Sequence, residues 1–173
     1  MSQQRIECVL HPSFDAPAVV QLQPVSKDTL LLIFQQTGRK SGVSRYFTWA
    51  DDTTRLVHVR KMGRYFQQFT FSDTIRLSKQ DIPLLSKSYQ KLLTQVRALA
   101  AAKDERLLVD GLTCQLTIFT GSSPPYRLTY RTPAEKENQL IDQFLKSLLM
   151  ALKMKSANPA TVNYCMIADG YMY

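Results

Sequence analysis

The segment 110–154 constrains the fold most, because two alternating runs, a short turn and a long amphipathic run follow one another in it. In Thr113–Phe119 and Tyr126–Arg131 apolar residues recur at every second position, which is typical of strands with one buried face. The stretch Gly121–Pro125 between them ends in Pro-Pro, which cannot continue a strand ladder. The sequence therefore predicts a β-hairpin at about 112–131, with Cys114 on its inward face.

The amphipathic run that follows predicts a helix at about 133–154. Its apolar residues recur at three- and four-residue spacing, so they lie on one side of a helix. Thr132, Pro133 and Glu135 have the order of a capping residue, a first-turn proline and a capping-box partner. We therefore expect this helix to begin directly after the hairpin and to pack on it.

The first part of the chain predicts a β-rich region at 5–77, in which short apolar or alternating segments are separated by turn residues. Thr29–Gln35 has an unbroken apolar centre, which indicates a strand covered on both faces. Thr37–Gly42 after it is typical of a turn. The candidate strands are Arg5–Leu10, Val19–Pro24, Thr29–Gln35, Val43–Trp49, Arg55–Lys61, Arg64–Phe71 and Ile75–Leu77.

The apolar period changes from two to that of a helix at Asp81, and this change predicts a helix at about 81–103 with Asp81 as its N-cap and Pro83 in its first turn. The C-terminal part 158–173 contains Thr161–Ile167, which we predict to be a last strand before a turn at Asp169-Gly170. A chain of 173 residues suits one domain. We expect a single α+β domain with a mainly antiparallel, curved sheet covered on one face by two amphipathic helices.

Motifs for catalysis, metal binding or a cofactor are missing, so we expect no enzyme, no metal site and no cofactor. Three cysteines that are odd in number and widely separated predict neither a disulfide framework nor a zinc site, and they favour a reducing, cytoplasmic location. They are Cys8, Cys114 and Cys165. The longest apolar run, Leu30–Phe34, is far too short to span a membrane.

Charge is concentrated in the segment 39–64, where seven cations and two carboxylates give +5 of the chain's net +8. Cations beside aromatic residues can contact phosphates and stack on bases, which is typical of single-stranded nucleic-acid binding. Basic strands can equally be solvated edges or contacts for an acidic protein. The candidate binding residues in this segment and next to it are Arg39, Lys40, Arg60, Lys61, Arg64 and Tyr65.

The outward face of the predicted hairpin carries two further candidate binding residues, Arg127 and Arg131, beside polar residues of the partner strand. A flat polar face with two arginines can recognise an acidic protein surface. The sequence thus favours a non-enzymatic protein-binding module, of the inhibitor, immunity or complex-subunit type, that acts through a basic sheet surface. The alternative is a phosphate-directed binder of RNA, single-stranded DNA or a nucleotide through the segment 39–64.

Overall fold

The computed structural model describes residues 4–12, 17–40, 67–101, 111–121, 124–132 and 138–172. Within these ranges, six antiparallel strands form one open sheet and three helices accompany it, which confirms the predicted α+β class. The strands are β1 (Arg5–Pro12), β2 (Ala18–Pro24), β3 (Thr29–Lys40), β4 (Gln67–Ser78), β5 (Leu112–Phe119) and β6 (Tyr126–Arg131). The helices are α1 (Pro83–Ala101), α2 (Gln139–Lys155) and α3 (Pro159–Gly170).

The sheet has the strand order β4-β3-β2-β1-β5-β6, so that β4 and β6 lie at its edges. The first four strands form a meander in which each strand pairs with the next. The chain then passes through α1 from the β4 edge and returns to place β5 beside β1. The predicted strands Val43–Trp49 and Arg55–Lys61 lie outside the described residues.

One face of the sheet is packed against the helices. Every second side chain is buried in β1 and β5, in β2 as far as Leu22 and in β3 as far as Gln36, and so are Leu128 and Tyr130 of β6. The ring of Phe34 in β3 meets that of Tyr164 in α3 edge to face, with centroids 5.2 Å apart. The Tyr130 hydroxyl donates to Asp142 Oδ1 of α2 at 2.7 Å. These contacts join the strands at both sides of the sheet to the same helical layer.

The hairpin predicted at 112–131 is confirmed, and Cys114 lies fully buried in its inward face. Gly111 precedes β5 with φ near +143°, where a side chain would be strained. A Cβ added there would lie 2.8 Å from the Thr132 hydroxyl oxygen. This close approach is the reason that glycine occupies the base of the hairpin.

Both predicted helices covering the sheet exist, and the start of the first differs from the prediction. The first begins at Pro83, so Ile82, and not the predicted Asp81, occupies the position directly before it. The carbonyl oxygen of Ile82 accepts a hydrogen bond from the backbone N–H of Ser86. The second is described from Gln139 to Lys155, and the predicted first turn at 133–137, which Thr132 would cap, lies outside the described residues. The hydroxyl of Thr132 accepts from the backbone N–H of Leu112 at 2.8 Å, which closes the hairpin.

The prediction of a C-terminal strand at Thr161–Ile167 is wrong, since these residues belong to α3. Asn158 caps this helix by accepting from the N–H of Ala160 at 3.0 Å, and Pro159 occupies its first turn. The β-branched and aromatic residues of the segment indicated a strand. Asn158 and Pro159 form a helix start signal, and the buried residues recur at helical spacing, so the segment is a helix. Those buried residues are Thr161, Tyr164, Cys165 and Ala168.

The predicted strand boundaries in the first part of the chain also need correction. β3 continues through the expected turn at Thr37–Gly42 as far as Lys40, because its ladder with β4 extends to the pair Lys40 and Gln67. The two segments predicted as separate strands, Arg64–Phe71 and Ile75–Leu77, contribute to the single strand β4. Leu31 and Ile33 of β3 are partly exposed, and in the described ranges no helix packs on them, so the expected cover on this second face stays a prediction.

A carboxylate connects the edge strand β4 to the corner between α2 and α3. Asp73 Oδ2 accepts hydrogen bonds from the hydroxyls of Ser156 and Thr161. Ser156 also accepts from the N–H of Asn158 at 3.0 Å, which links the carboxylate to the residue that caps α3. Hydrogen bonds to a charged group are roughly twice as strong as neutral ones, so this cluster holds the corner against the sheet.

We predict that Thr161→Val lowers the free energy of unfolding by about 1.5–3 kcal/mol, because it removes a buried donor from a charged acceptor without changing the side-chain shape. The matched variant Thr94→Val removes an exposed hydroxyl from α1, and it should change stability by less than about 0.5 kcal/mol. Urea unfolding measures both. Equal effects of the two substitutions would contradict a stabilising role of the Asp73 cluster.

The three cysteines are buried free thiols, in agreement with the prediction that they form no disulfide framework. Burial raises the pKa of Cys165 to about 12. Burial, together with the neighbouring Cys8, also raises the pKa of Cys114 well above its usual value. A catalytic thiolate requires a lowered pKa, so the structure gives no support to a nucleophilic role for Cys114.

A raised pKa in the folded state makes stability depend on pH. Between the usual thiol pKa of 9.0 and the folded value of about 12, unfolded Cys165 loses a proton that the folded protein keeps. The stabilisation is therefore fully present below about pH 9 and is lost as the pH rises towards 12. We predict that the free energy of unfolding falls less steeply from about pH 8 to about pH 10 in Cys165→Ala than in the wild type. Identical slopes would contradict this effect of burial.

Candidate binding surface

The sheet face opposite the helices is called the open face here. It comprises the odd-numbered residues of β1, β2, β5 and β6, those of β3 from Thr29 to Gln35, and the even-numbered residues of β4 from Ser72 to Ser78. The register places all of them on one side, and their side chains are partly or largely exposed. In the described part of the chain, no helix packs on this face.

A strip of aliphatic side chains runs across the middle of the open face. Val9 of β1 lies directly opposite Val19 of β2. Ile33 of β3 pairs with Gln21 of β2 and is therefore the diagonal neighbour of Val19. Leu31 lies on the same face of β3, two residues before Ile33. All four side chains are partly exposed. This aliphatic strip is a contiguous apolar area in the central strands, where an ordinary solvated face carries polar residues.

Polar side chains with defined partners flank the aliphatic strip. Gln21 Nε2 donates to Glu7 Oε2 at 3.1 Å, which fixes the carboxylate of β1 against β2. The guanidinium carbon of Arg5 lies 4.2 Å from the centre of the Phe119 ring, a cation–π contact between β1 and β5. These contacts hold long side chains in one arrangement, so a partner would meet a surface that is already ordered.

The open face is basic at its two sides. In the described strands it carries four arginines and one carboxylate, Glu7. The register puts Arg76 beside Leu31 at the β4 edge, and it puts Arg127 beside Thr117 at the β6 edge. The arginines are Arg5, Arg76, Arg127 and Arg131. An acidic surface would therefore find cations at opposite ends of the aliphatic strip.

The structure brings together only part of the predicted binding set. Arg127 and Arg131 lie on the open face opposite Thr117 and Thr113, as the alternation of the hairpin predicted. Arg39 and Lys40 belong to β3, where they pair through the backbone with Gln68 and Gln67. Their binding roles stay predictions. The other four predicted residues lie outside the described residues: Arg60, Lys61, Arg64 and Tyr65.

Sequence reasoning missed the aliphatic strip and Arg76. The valines of the strip stand in short segments, 5–10 and 19–24, whose partner strands could not be identified from the sequence. The signal for the strip was present in Thr29–Gln35, since an apolar run on both faces of a strand requires either a second covering layer or an exposed apolar surface. In the structure the residues of this face are partly exposed, and no helix of the described ranges packs on them.

The Asp73 cluster contains two hydroxyls and a carboxylate, but the described histidine, His11, lies on the open face in another strand. Among the described residues, no group of histidine, cysteine and acidic side chains could hold a metal ion. None of the helices in the described ranges has both the length and the apolar character that crossing a membrane requires.

The sequence matches no protein-family model and no curated protein, and the structure matches no solved structure.

Proposed function

We propose that this protein is a non-enzymatic protein-binding module that contacts the acidic surface of a partner through the open face. The observation that carries the proposal is the aliphatic strip of Val9, Val19, Leu31 and Ile33, which is partly exposed and has arginines at both sides. Protein interfaces generally have an apolar centre, which loses its water on binding, and a polar rim that stays accessible to solvent.

The chemistry of the open face supports a partner with carboxylates. Arginine forms bidentate bonds with carboxylates, and Arg76 and Arg127 are exposed. The threonines and glutamines between them supply both donors and acceptors, which suits the backbone and side chains of a protein. The aliphatic strip would supply most of the affinity, and the rim arginines would raise the association rate.

The kind of module stays open between an inhibitor, an immunity protein and a subunit of a complex. All three act through a preformed surface and require no catalytic group. Buried, unpaired thiols at Cys8, Cys114 and Cys165 suit a reducing compartment, and we propose a cytoplasmic location on this basis.

Binding of RNA, single-stranded DNA or a nucleotide through the segment 39–64 is the alternative. Such binding uses exposed aromatic rings on which bases stack. On the described open face the aromatic residue is Phe119, and its ring is already in contact with Arg5. Tyr65, the aromatic residue among the predicted binding residues, lies outside the described residues. The described surface therefore favours a protein partner.

We predict that the double variant Arg76→Glu/Arg127→Glu recovers its partner from a lysate of the source cells at least about tenfold less efficiently than the wild type, since reversed rim charges repel an acidic surface. The control variant Lys27→Glu/Ala160→Glu/Asn163→Glu alters net charge by the same amount at exposed positions in the β2–β3 turn and in α3, away from the open face, and it should recover the partner normally. Quantitative mass spectrometry of the captured proteins measures the difference.

Equal recovery by both variants would place the interface elsewhere and would contradict the proposal. Retention of RNA or single-stranded DNA, with an affinity that falls linearly with the logarithm of salt concentration, would replace it with the nucleic-acid alternative.

A further inference from the structure

An apolar groove lies on the outer side of the helical layer, between the start of α1 and the second half of α2. Ile82, Leu85 and Ala151 form its floor and are at most 5% exposed. The rim consists of three side chains that solvent reaches: Leu84 at 65%, Met150 at 51% and Met154 at 64% exposure. The groove thus combines a buried floor with an exposed rim, in which the two methionine side chains are unbranched and can adapt to a ligand.

The exposed rim is unusual for the outer side of an amphipathic helix, where polar residues are expected. Six large apolar side chains are exposed in the described part of the chain, and three of them line this groove. The cavity has a volume of about 140 Å³. A cavity of about 150 Å³ with apolar walls accepts a benzene-sized group, so the groove can hold one large apolar side chain.

The two helices that form the groove are strongly basic. Together they carry six cations and one carboxylate, Asp142. The cations are Lys87, Lys91, Arg97, Lys146, Lys153 and Lys155. The three lysines of α2 pair with carboxylates: Lys146 with Asp142 at 3.1 Å, Lys153 with Asp169 at 3.4 Å, and Lys155 with Asp81, which lines the groove, at 4.0 Å. The six cations still outnumber these three carboxylates, so the charge around the groove is net positive.

We propose that the groove docks an acidic amphipathic helix of a partner protein, with one large apolar side chain inserted between Leu84, Met150 and Met154. An amphipathic helix presents anchors at helical spacing, and methionine-rich grooves adapt to such anchors. Carboxylates beside the anchor would face the lysines of α1 and α2. A second copy of this chain is a poorer occupant, because a symmetric contact would bring the same cations together.

The groove is a separate surface from the open face, since the helices lie on the opposite side of the sheet. Its binding can therefore be tested with substitutions that leave the open face unchanged. Failure of the groove to bind a helix would not affect the function proposed for the open face, and failure of the open face would not affect the groove.

The test is a selection from a displayed library of amphipathic helical peptides, with acidic, neutral and basic members, on the full-length protein. The proposal predicts enrichment of acidic peptides that share a Phe, Leu or Trp anchor. The best peptide should bind the variant Leu84→Gln/Met150→Gln at least about tenfold more weakly than the wild type, because loss of an anchor pocket typically costs that much. Fluorescence anisotropy measures both affinities.

The matched control is Met166→Gln/Ile167→Gln, which makes a similar change at exposed positions of α3 outside the groove. It should bind the peptide within about twofold of the wild type, and glutamine keeps the helix propensity of both variants close to that of the replaced residues. Urea midpoints verify that both variants are folded.

Three results would overturn the proposal. The first is the absence of enriched acidic peptides, or equal binding of the best peptide to the groove variant. The second is a wild-type dimer in analytical ultracentrifugation that Leu84→Gln/Met150→Gln dissociates, which would make a second copy the occupant. The third is binding to phosphatidylglycerol vesicles that the same variant abolishes, which would assign the groove to a lipid surface.

Discussion

The alternation of side chains across six strands is the constraint on which the rest of the structure depends. In β1, β2, β3 and β5, one set of alternate residues is buried under the helices, and each Leu, Ile, Val or Phe in it contributes about 1.5–3 kcal/mol. A shift of the register by one residue would move that whole set to solvent. The register is therefore fixed by the sum of these contributions. The Asp73 cluster, which is worth only a few kcal/mol, adjusts one corner.

This fixed register also determines the surface available for binding. The residues that alternate with the core must face the other way, and they include Val9, Val19, Leu31 and Ile33. No helix of the described ranges takes up these aliphatic side chains. Burial of one set of alternate residues therefore determines which residues lie on the open face. A substitution in the buried set that alters strand pairing would also alter the binding surface.

Where local signals agreed with tertiary packing, the fold could be predicted from the sequence. The hairpin of β5 and β6 shows a strict period of two and a Pro-Pro turn, and its strands match the expected ones. Local signals misled where tertiary contacts decide. The segment 161–167 has strand composition, yet the cap at Asn158 and the packing of Tyr164 on Phe34 make it helical.

The candidate site was predictable only in its hairpin part. Arg127 and Arg131 follow from the alternation within one hairpin, which needs no knowledge of distant strands. Arg76 and the aliphatic strip depend on the pairing and register of four strands, β1 to β4, whose boundaries the sequence predicted less well. The groove required the packing of α1 against α2, which residue spacing within each helix cannot supply.

Solvent access to the two faces tests the central claim most directly, and it needs no partner. A soluble paramagnetic agent broadens the methyl signals that it can approach. We predict strong broadening for Val9, Val19, Leu31 and Ile33, and little or none for Val20 and Leu32, which are fully buried. Equal protection of both sets of methyl groups would contradict an open face, and with it the proposed binding surface.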